Sequence, residues 1–138
     1  MFMENRSLTL SCTAMMLLFC HVAFLEAKKP EGKSAQVVTL TVDYGDGAQK
    51  RFVEIPWKTE MTVGDATDAA DKHPRGIEIE VRGKGETAIL LRIDDLRNAG
   101  ADGTNWVYRV NDKLGDRSFS VFSLNPGDDV LWRFEEYP

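Results

Sequence analysis

The chain has 138 residues, 17 of them basic and 22 acidic, for a net charge of −5. That length leaves room for one modest domain, and the mild acidity argues against nucleic-acid binding, which calls for a basic face. Both cysteines, Cys12 and Cys20, fall in an apolar N-terminal run, so the rest of the chain offers no disulfide framework, thiolate nucleophile or cysteine metal site.

Met1–Arg6 is short and polar with one basic residue, Leu8–Leu25 is mostly apolar, and the chain turns charged at Glu26. This is the layout of a secretory signal peptide, with cleavage expected after Ala27. An uncleaved signal anchor is one alternative, because the run approaches a bilayer-spanning length, although its Ser, Thr, Cys and His residues weaken it as a span. Lipid attachment at Cys20 is the other, although the residue before it is not small. The expected product is secreted or periplasmic, touching a membrane only through the signal segment if that stays uncleaved. Without Glu4, Arg6 and Glu26 the remainder carries 16 basic and 20 acidic residues, net −4, and keeps one histidine, His73.

Residues 28–35 are polar, with Pro30 and Gly32, and read as a flexible leader ahead of one domain at 36–138. In 36–44, Val38, Leu40 and Val42 alternate with polar residues, the period of a half-buried strand. Gly45-Asp46-Gly47 supplies hairpin turn residues, and a return strand runs over 50–55 to Pro56. Thr62 then caps an Ala-rich helix, with Asp65 three residues on near the positive end of the helix dipole. Val63, Ala66 and Ala70 share one helix face, and Pro74 and Gly76 end the element. Strict alternation in 77–82 predicts another strand, Gly83-Lys84-Gly85 a turn, and the apolar run 88–93 a further and more central strand. Residues 94–105 read as a long polar connection. Trp106, Tyr108 and Val110 then share one face of a strand, with Val107 and Arg109 on the other, before a turn at Asn111-Asp112. A turn at Asn125-Pro126-Gly127-Asp128 precedes the final strand, whose Val130, Trp132 and Phe134 form a matching apolar face. Two strands, one helix and several strands predict an α+β domain with a mixed sheet.

Several stretches together bear a family likeness: a first strand ending in Asp43-Tyr44-Gly45; Met61-Thr62-Val63 with Asp65-Ala66 opening a helix; Ile93-Asp94 before a loop; 106–111, Trp-Val-Tyr-Arg-Val-Asn; and Leu124 with Gly127-Asp128 ahead of Trp132. In order and spacing the set resembles β-grasp domains of the transcobalamin C-terminal type, which bacteria carry alone or in arrays as a domain of unknown function. The resemblance spans about 36–135 and implies a β-grasp (ubiquitin-like) mixed sheet packed on one short helix. Two glycine positions of the pattern are Asp95 and Asp112 here, where Asp tolerates positive φ at some cost. In transcobalamin-like proteins the domain closes over cobalamin held against a large helical barrel, for which this chain has no room. A corrinoid ligand is therefore implied by resemblance alone, and no covalently bound cofactor is expected. Another β-grasp branch, the sulfur carriers, reacts through a C-terminal Gly-Gly, whereas this chain ends Glu135-Glu136-Tyr137-Pro138.

Catalytic candidates are few. His73 lies between Lys72 and Pro74 at a helix end, where capping or solvation is the expected role. Asp94-Asp95 is a carboxylate pair, but adjacent strand residues point to opposite faces, and in a turn such groups bond the local backbone. Asp43–Gly47 lacks the alternating ligands and closing Glu of a calcium loop, and Gly83–Gly85 is too short to cradle phosphate. Across two paired strands Tyr108 and Trp132 are expected in the core, while Trp106, at a loop end, has more scope than either for partial exposure and ligand contact. By resemblance, Trp106, Tyr108, Arg109 and Asn111 are the candidate ligand residues, and Trp57, just after Pro56, joins them by position. The aromatics would supply apolar contact and Arg109 and Asn111 would orient polar groups. The expected function is a non-catalytic module binding a small molecule or capping one held by a partner. The alternative is an interaction module for an envelope protein, using a free sheet edge or aromatic patch.

Overall fold

The computed structural model describes residues 36–138; the expected signal segment 1–27 and leader 28–35 lie outside the described residues. Within them the fold is α+β, mostly sheet with one helix. Strands β1 (Val37–Asp43) and β2 (Gln49–Pro56) form the expected hairpin, followed by helix α1 (Val63–Asp71). Then come β3 (Ile79–Arg82), a single 3-10 turn (Gly85–Thr87), β4 (Ile89–Ile93) and β5 (Leu96–Arg97). Strands β6 (Thr104–Val110), β7 (Lys113–Leu114) and β8 (Asp129–Glu136) complete the chain.

The strands make two sheets rather than the one expected. Five form a sheet of order β2-β1-β8-β6-β7, and three form a smaller one of order β3-β4-β5. In the larger sheet β1 pairs with β8 in parallel, and every other pairing is antiparallel. The smaller sheet separates because the chain after α1 is spent on closing the helix. Gly76 N–H donates to the His73 carbonyl and Ile77 N–H to that of Ala70, so the strand expected from residue 77 begins at Ile79. A Cβ at Gly76 would meet the Ala70 carbonyl oxygen at 2.1 Å, so only glycine allows this approach. The expected central position of β4 holds within the three-stranded sheet, although Ile89 is exposed. The presumed loop 94–105 contains β5, in a hairpin whose positive φ falls on Asp94 (48°) rather than on Asp95. At the β6–β7 turn both Asn111 (49°) and Asp112 (65°) adopt positive φ, as a two-residue hairpin of this twist demands.

Period-two patterning places Val38, Leu40 and Val42 of β1 on the inner face with Val130 and Trp132 of β8, and all five are buried. Helix α1 covers that face through Val63, Ala66, Thr67 and Ala70; the small alanines let it lie close to the strands. Its N-terminus carries the expected capping box: Thr62 Oγ1 accepts from Asp65 N–H, and the Asp65 carboxylate accepts from Thr62 N–H. The next two N–H groups, of Val63 and Gly64, donate to the carbonyls of Phe122 and Phe119. The irregular stretch before β8 is thereby pinned along the helix start and delivers Phe119 and Leu124 to the core.

Candidate functional site

The antiparallel register of β6 and β8 sets Trp106 opposite Phe134, Tyr108 opposite Trp132 and Val110 opposite Val130. Ring centroids lie 5.1 Å apart in the first pair and 5.3 Å in the second, and Phe119 meets Trp132 edge-on at 5.4 Å. Each such contact adds about 0.5–1.5 kcal/mol beyond its buried area. The polar tips are all engaged. Trp132 Nε1–H donates to Thr67 Oγ1 (3.0 Å), whose own hydrogen goes to the Val63 carbonyl (2.7 Å). Tyr108 Oη–H donates to the Arg117 carbonyl, and burial pushes this hydroxyl up to about 12.

Trp106 is closed off as well. It is 6% exposed, its Nε1–H donates to the Leu96 carbonyl, and Tyr44 lies edge-on to it at 5.8 Å. The connection that precedes it folds back as β5 and covers it. Arg109 is on the other face, as alternation requires, and reaches past Val107 to Glu135, with Nη1 and Oε1 2.5 Å apart. These two atoms meet as opposite charges, not as an aligned donor and acceptor. Asn111 is a clasp between turns: its Nδ2–H donates to Asp128 Oδ1 and its Oδ1 accepts from Asp129 N–H. Trp57 is half-buried, donating from Nε1 to the Leu124 carbonyl. Of the five candidate residues, Trp106 and Tyr108 border one concavity, whereas Trp57, Arg109 and Asn111 serve other parts of the framework.

What remains open near the aromatics is a notch at the edge of β6. Asn111 N–H donates to the Asp129 carbonyl, which fixes the alternation and turns the main-chain groups of Trp106 and Tyr108 away from β8. Trp106 N–H is taken by Asn98 Oδ1 and the Tyr108 carbonyl by Gly115 N–H. The Trp106 carbonyl and Tyr108 N–H point toward the stretch of edge that β7, ending at Leu114, leaves uncovered. Here Gly100, Ala101, Val107, Leu114, Gly115 and Tyr137 line a concavity of ≈ 440 Å³. Leu114 is 38% and Tyr137 68% exposed, an apolar lip around main-chain donors and acceptors. Asn98, whose Nδ2–H also donates to the Leu90 carbonyl, ties the two sheets at this place.

Asp94 forms the second junction between the sheets. Its Oδ2 accepts from Tyr44 Oη (2.5 Å) and Lys50 Nζ (3.0 Å), and its Oδ1 from Glu78 N–H (2.9 Å). Burial works to raise its carboxyl, but the bonds from Tyr44, Glu78 and Lys50 outweigh burial and hold it below the ordinary carboxylate range. Burial and the Asp94 contact push the Tyr44 hydroxyl well up, so it stays protonated as a donor. Asp95 beside it is exposed. His73 is exposed, its Nδ1 accepting from Arg75 N–H. Among the described residues no group of three or more His, Cys, Asp or Glu is arranged to hold a metal ion, and no helix is long and apolar enough to cross a membrane.

No family model matches the chain, and no curated protein matches it. Its fold is similar to that of a solved structure from Ruminococcus gnavus, provisionally described as a metal binding protein. The TM-score is 0.56 at 14% sequence identity, over 73% of this chain and 97% of that one. At this identity the likeness concerns the fold.

Proposed function

We propose that this protein is an exported, non-catalytic β-grasp module of the transcobalamin C-terminal type that binds a small ligand. The strand order supports the fold reading: a hairpin, a helix across the sheet, then returning strands with the last one inserted beside the first in parallel. The three-stranded sheet is an excursion between the helix and β6. The observation that carries the ligand reading is the β6 notch, where an apolar lip surrounds main-chain groups that the neighbouring strand stops short of. A ligand with a flat apolar face and one polar edge fits that chemistry, alone or while held by a partner. Among the described residues no group of three or more His, Cys, Asp or Glu stands where the metal role described for the structural neighbour would need one.

The test is a thermal-shift screen of the protein from Lys28 onward, using cyanocobalamin and a panel of aromatic carboxylates and amides. A binder should raise the Tm, by about 2.7 kcal/mol of added stability at a hundredfold excess over Kd. Ala101→Trp, which fills the notch from an exposed loop, should abolish the shift without lowering the ligand-free Tm. No shift with any compound, or a shift that survives Ala101→Trp, defeats the reading. Mass spectrometry of the exported protein should find an N-terminus at Lys28.

A further inference from the structure

A second open surface lies at the opposite end of the large sheet. Strand β2 is an edge, and the alternation of its pairing with β1 fixes which of its main-chain groups are free. Tyr44 N–H donates to the Ala48 carbonyl at one end of the hairpin and Trp57 N–H to the Gln36 carbonyl at the other. Between the turn and the irregularity at Val53–Glu54, Lys50 and Phe52 therefore bond inward to Val42 and Leu40, and Gln49 and Arg51 direct N–H and C=O outward. Alongside this edge, between β2 and α1, runs a groove of ≈ 520 Å³ with Phe52, Ile55 and Ala69 in its floor. Its rim carries Lys50, Arg51 and Arg75 with His73 beside them, against one acid, Glu54. This is a local excess of positive charge on a chain whose net charge is −5. Lys50 is paired with Asp94, whereas Arg51 and Arg75 make no ion pair among the described residues.

We infer that this edge is a docking site for an extended, acidic polypeptide segment of a partner protein, which adds as a short strand beside Gln49–Val53. Main-chain bonds to Gln49 and Arg51 supply the pairing, and alternate side chains of the incoming strand enter the groove over Phe52. Acidic residues on it meet Arg75 and Lys50 from the groove side and Arg51 from the outer face. Charge decides the occupant. A second copy paired edge to edge sets Arg51 and Lys50 against their own counterparts, which like-charge repulsion disfavours. The chain's own leader brings Lys28, Lys29 and Lys33 against one acid, Glu31, the same sign as the groove. The bulge at Val53–Glu54 and the proline at residue 56 stop the added strand after a few residues, so the edge takes a short segment without offering a template for indefinite pairing.

The experiment uses a short labelled peptide alternating glutamate with valine, a lysine-for-glutamate counterpart, and the protein from Lys28 onward. Fluorescence polarisation should show the glutamate peptide binding, more weakly as salt is raised, and the lysine peptide not binding. Arg51→Glu/Arg75→Glu should weaken binding by about tenfold or more through lost charge complementarity. Arg75→Glu alone lies in an exposed turn and serves if the double variant does not fold. Hydrogen exchange on the complex should slow at the amides of Gln49 and Arg51, with Lys50 and Phe52 already protected in the free protein. Failure of the glutamate peptide to bind, equal binding of the lysine peptide, or new protection confined to another strand overturns the inference.

Discussion

The buried bond between Trp132 and Thr67 offers a direct measure of how the helix is held on the sheet. Thr67 is fully buried, and its hydroxyl accepts from Trp132 Nε1–H while donating to Val63. Thr67→Val keeps the side-chain shape and the β-branch but leaves the indole N–H without a partner at the centre of the core. The Val63 carbonyl lies within the helix and retains its main-chain role, so the indole dominates the loss. An unsatisfied buried donor costs about 1–3 kcal/mol, which for a domain of about 100 residues lowers the Tm by roughly 4–8 °C per kcal/mol. Urea unfolding followed by far-UV circular dichroism should show a lower midpoint at unchanged slope. Trp132→Phe removes the donor and also opens space, so its own cost is larger. In a double-mutant cycle the two changes should be coupled by about 1 kcal/mol, because the second substitution removes a group the first has already stranded. A Thr67→Val protein within about 0.3 kcal/mol of wild type, or a coupling near zero, refutes the bond as a stabilising contact.

Three further outcomes follow from local geometry. Asp94 is held below the ordinary carboxyl value of 3.8, so its stabilisation is fully present above about pH 4 and is lost as pH falls through its lower folded value. Acid unfolding of Asp94→Asn should be less steep than wild type in that window, with lower stability at neutral pH; equal slopes would contradict the junction described above. Asp43 and Asp65 are lowered as well, so some slope should persist in the variant. At the β6–β7 turn, Asn111→Gly keeps the positive φ and removes the clasp to Asp128 and Asp129, whereas Asn111→Ala also adds backbone strain. Denaturant titration should rank wild type above Gly above Ala, each step about 1 kcal/mol. A Cβ at Gly115 would fall 2.0 Å from Tyr108 Cζ, so Gly115→Ala should cost about 1–3 kcal/mol by calorimetry, and the penalty should vanish in a Tyr108→Ala background.

Much of the framework was readable from period and punctuation. The alternation of Val38, Leu40 and Val42, the Thr62–Asp65 box and the glycines of the first hairpin each act within a few residues, and each element formed where that chemistry put it. The facing of Tyr108 against Trp132 was also legible, because two strands with matched apolar faces have few other ways to bury them. The split into two sheets was not legible. It depends on Ile77 closing the helix and on Asp94 receiving Tyr44 and Lys50, 50 and 44 residues distant in the chain, contacts that leave no local pattern. The cover over Trp106 is hidden for the same reason: a polar connection gives no sign that two of its residues will pair as β5 and close over an indole. The candidate residues were individually conspicuous, but what makes a residue conspicuous in sequence, aromatic bulk or a fixed charge, is also what a small core uses for its own cohesion. Trp106 and Tyr108 do border the β6 notch, but Leu114, Tyr137 and the glycines that complete it come from neighbouring segments whose approach leaves no local pattern.

The parallel pairing of β1 with β8 bears on how the chain comes to be folded. The strand at the middle of the large sheet is the last of the described strands to leave the ribosome, and neither β1 nor β6 has its neighbour until then. Such long-range closure makes folding slow and all-or-none in character. A nascent chain therefore carries an open large sheet until β8 is made, and removal of β8 leaves β1 and β6 without the strand that joins them. Late closure of this kind makes the last described strand the one that completes the large sheet, so its arrival sets the moment at which the domain can close.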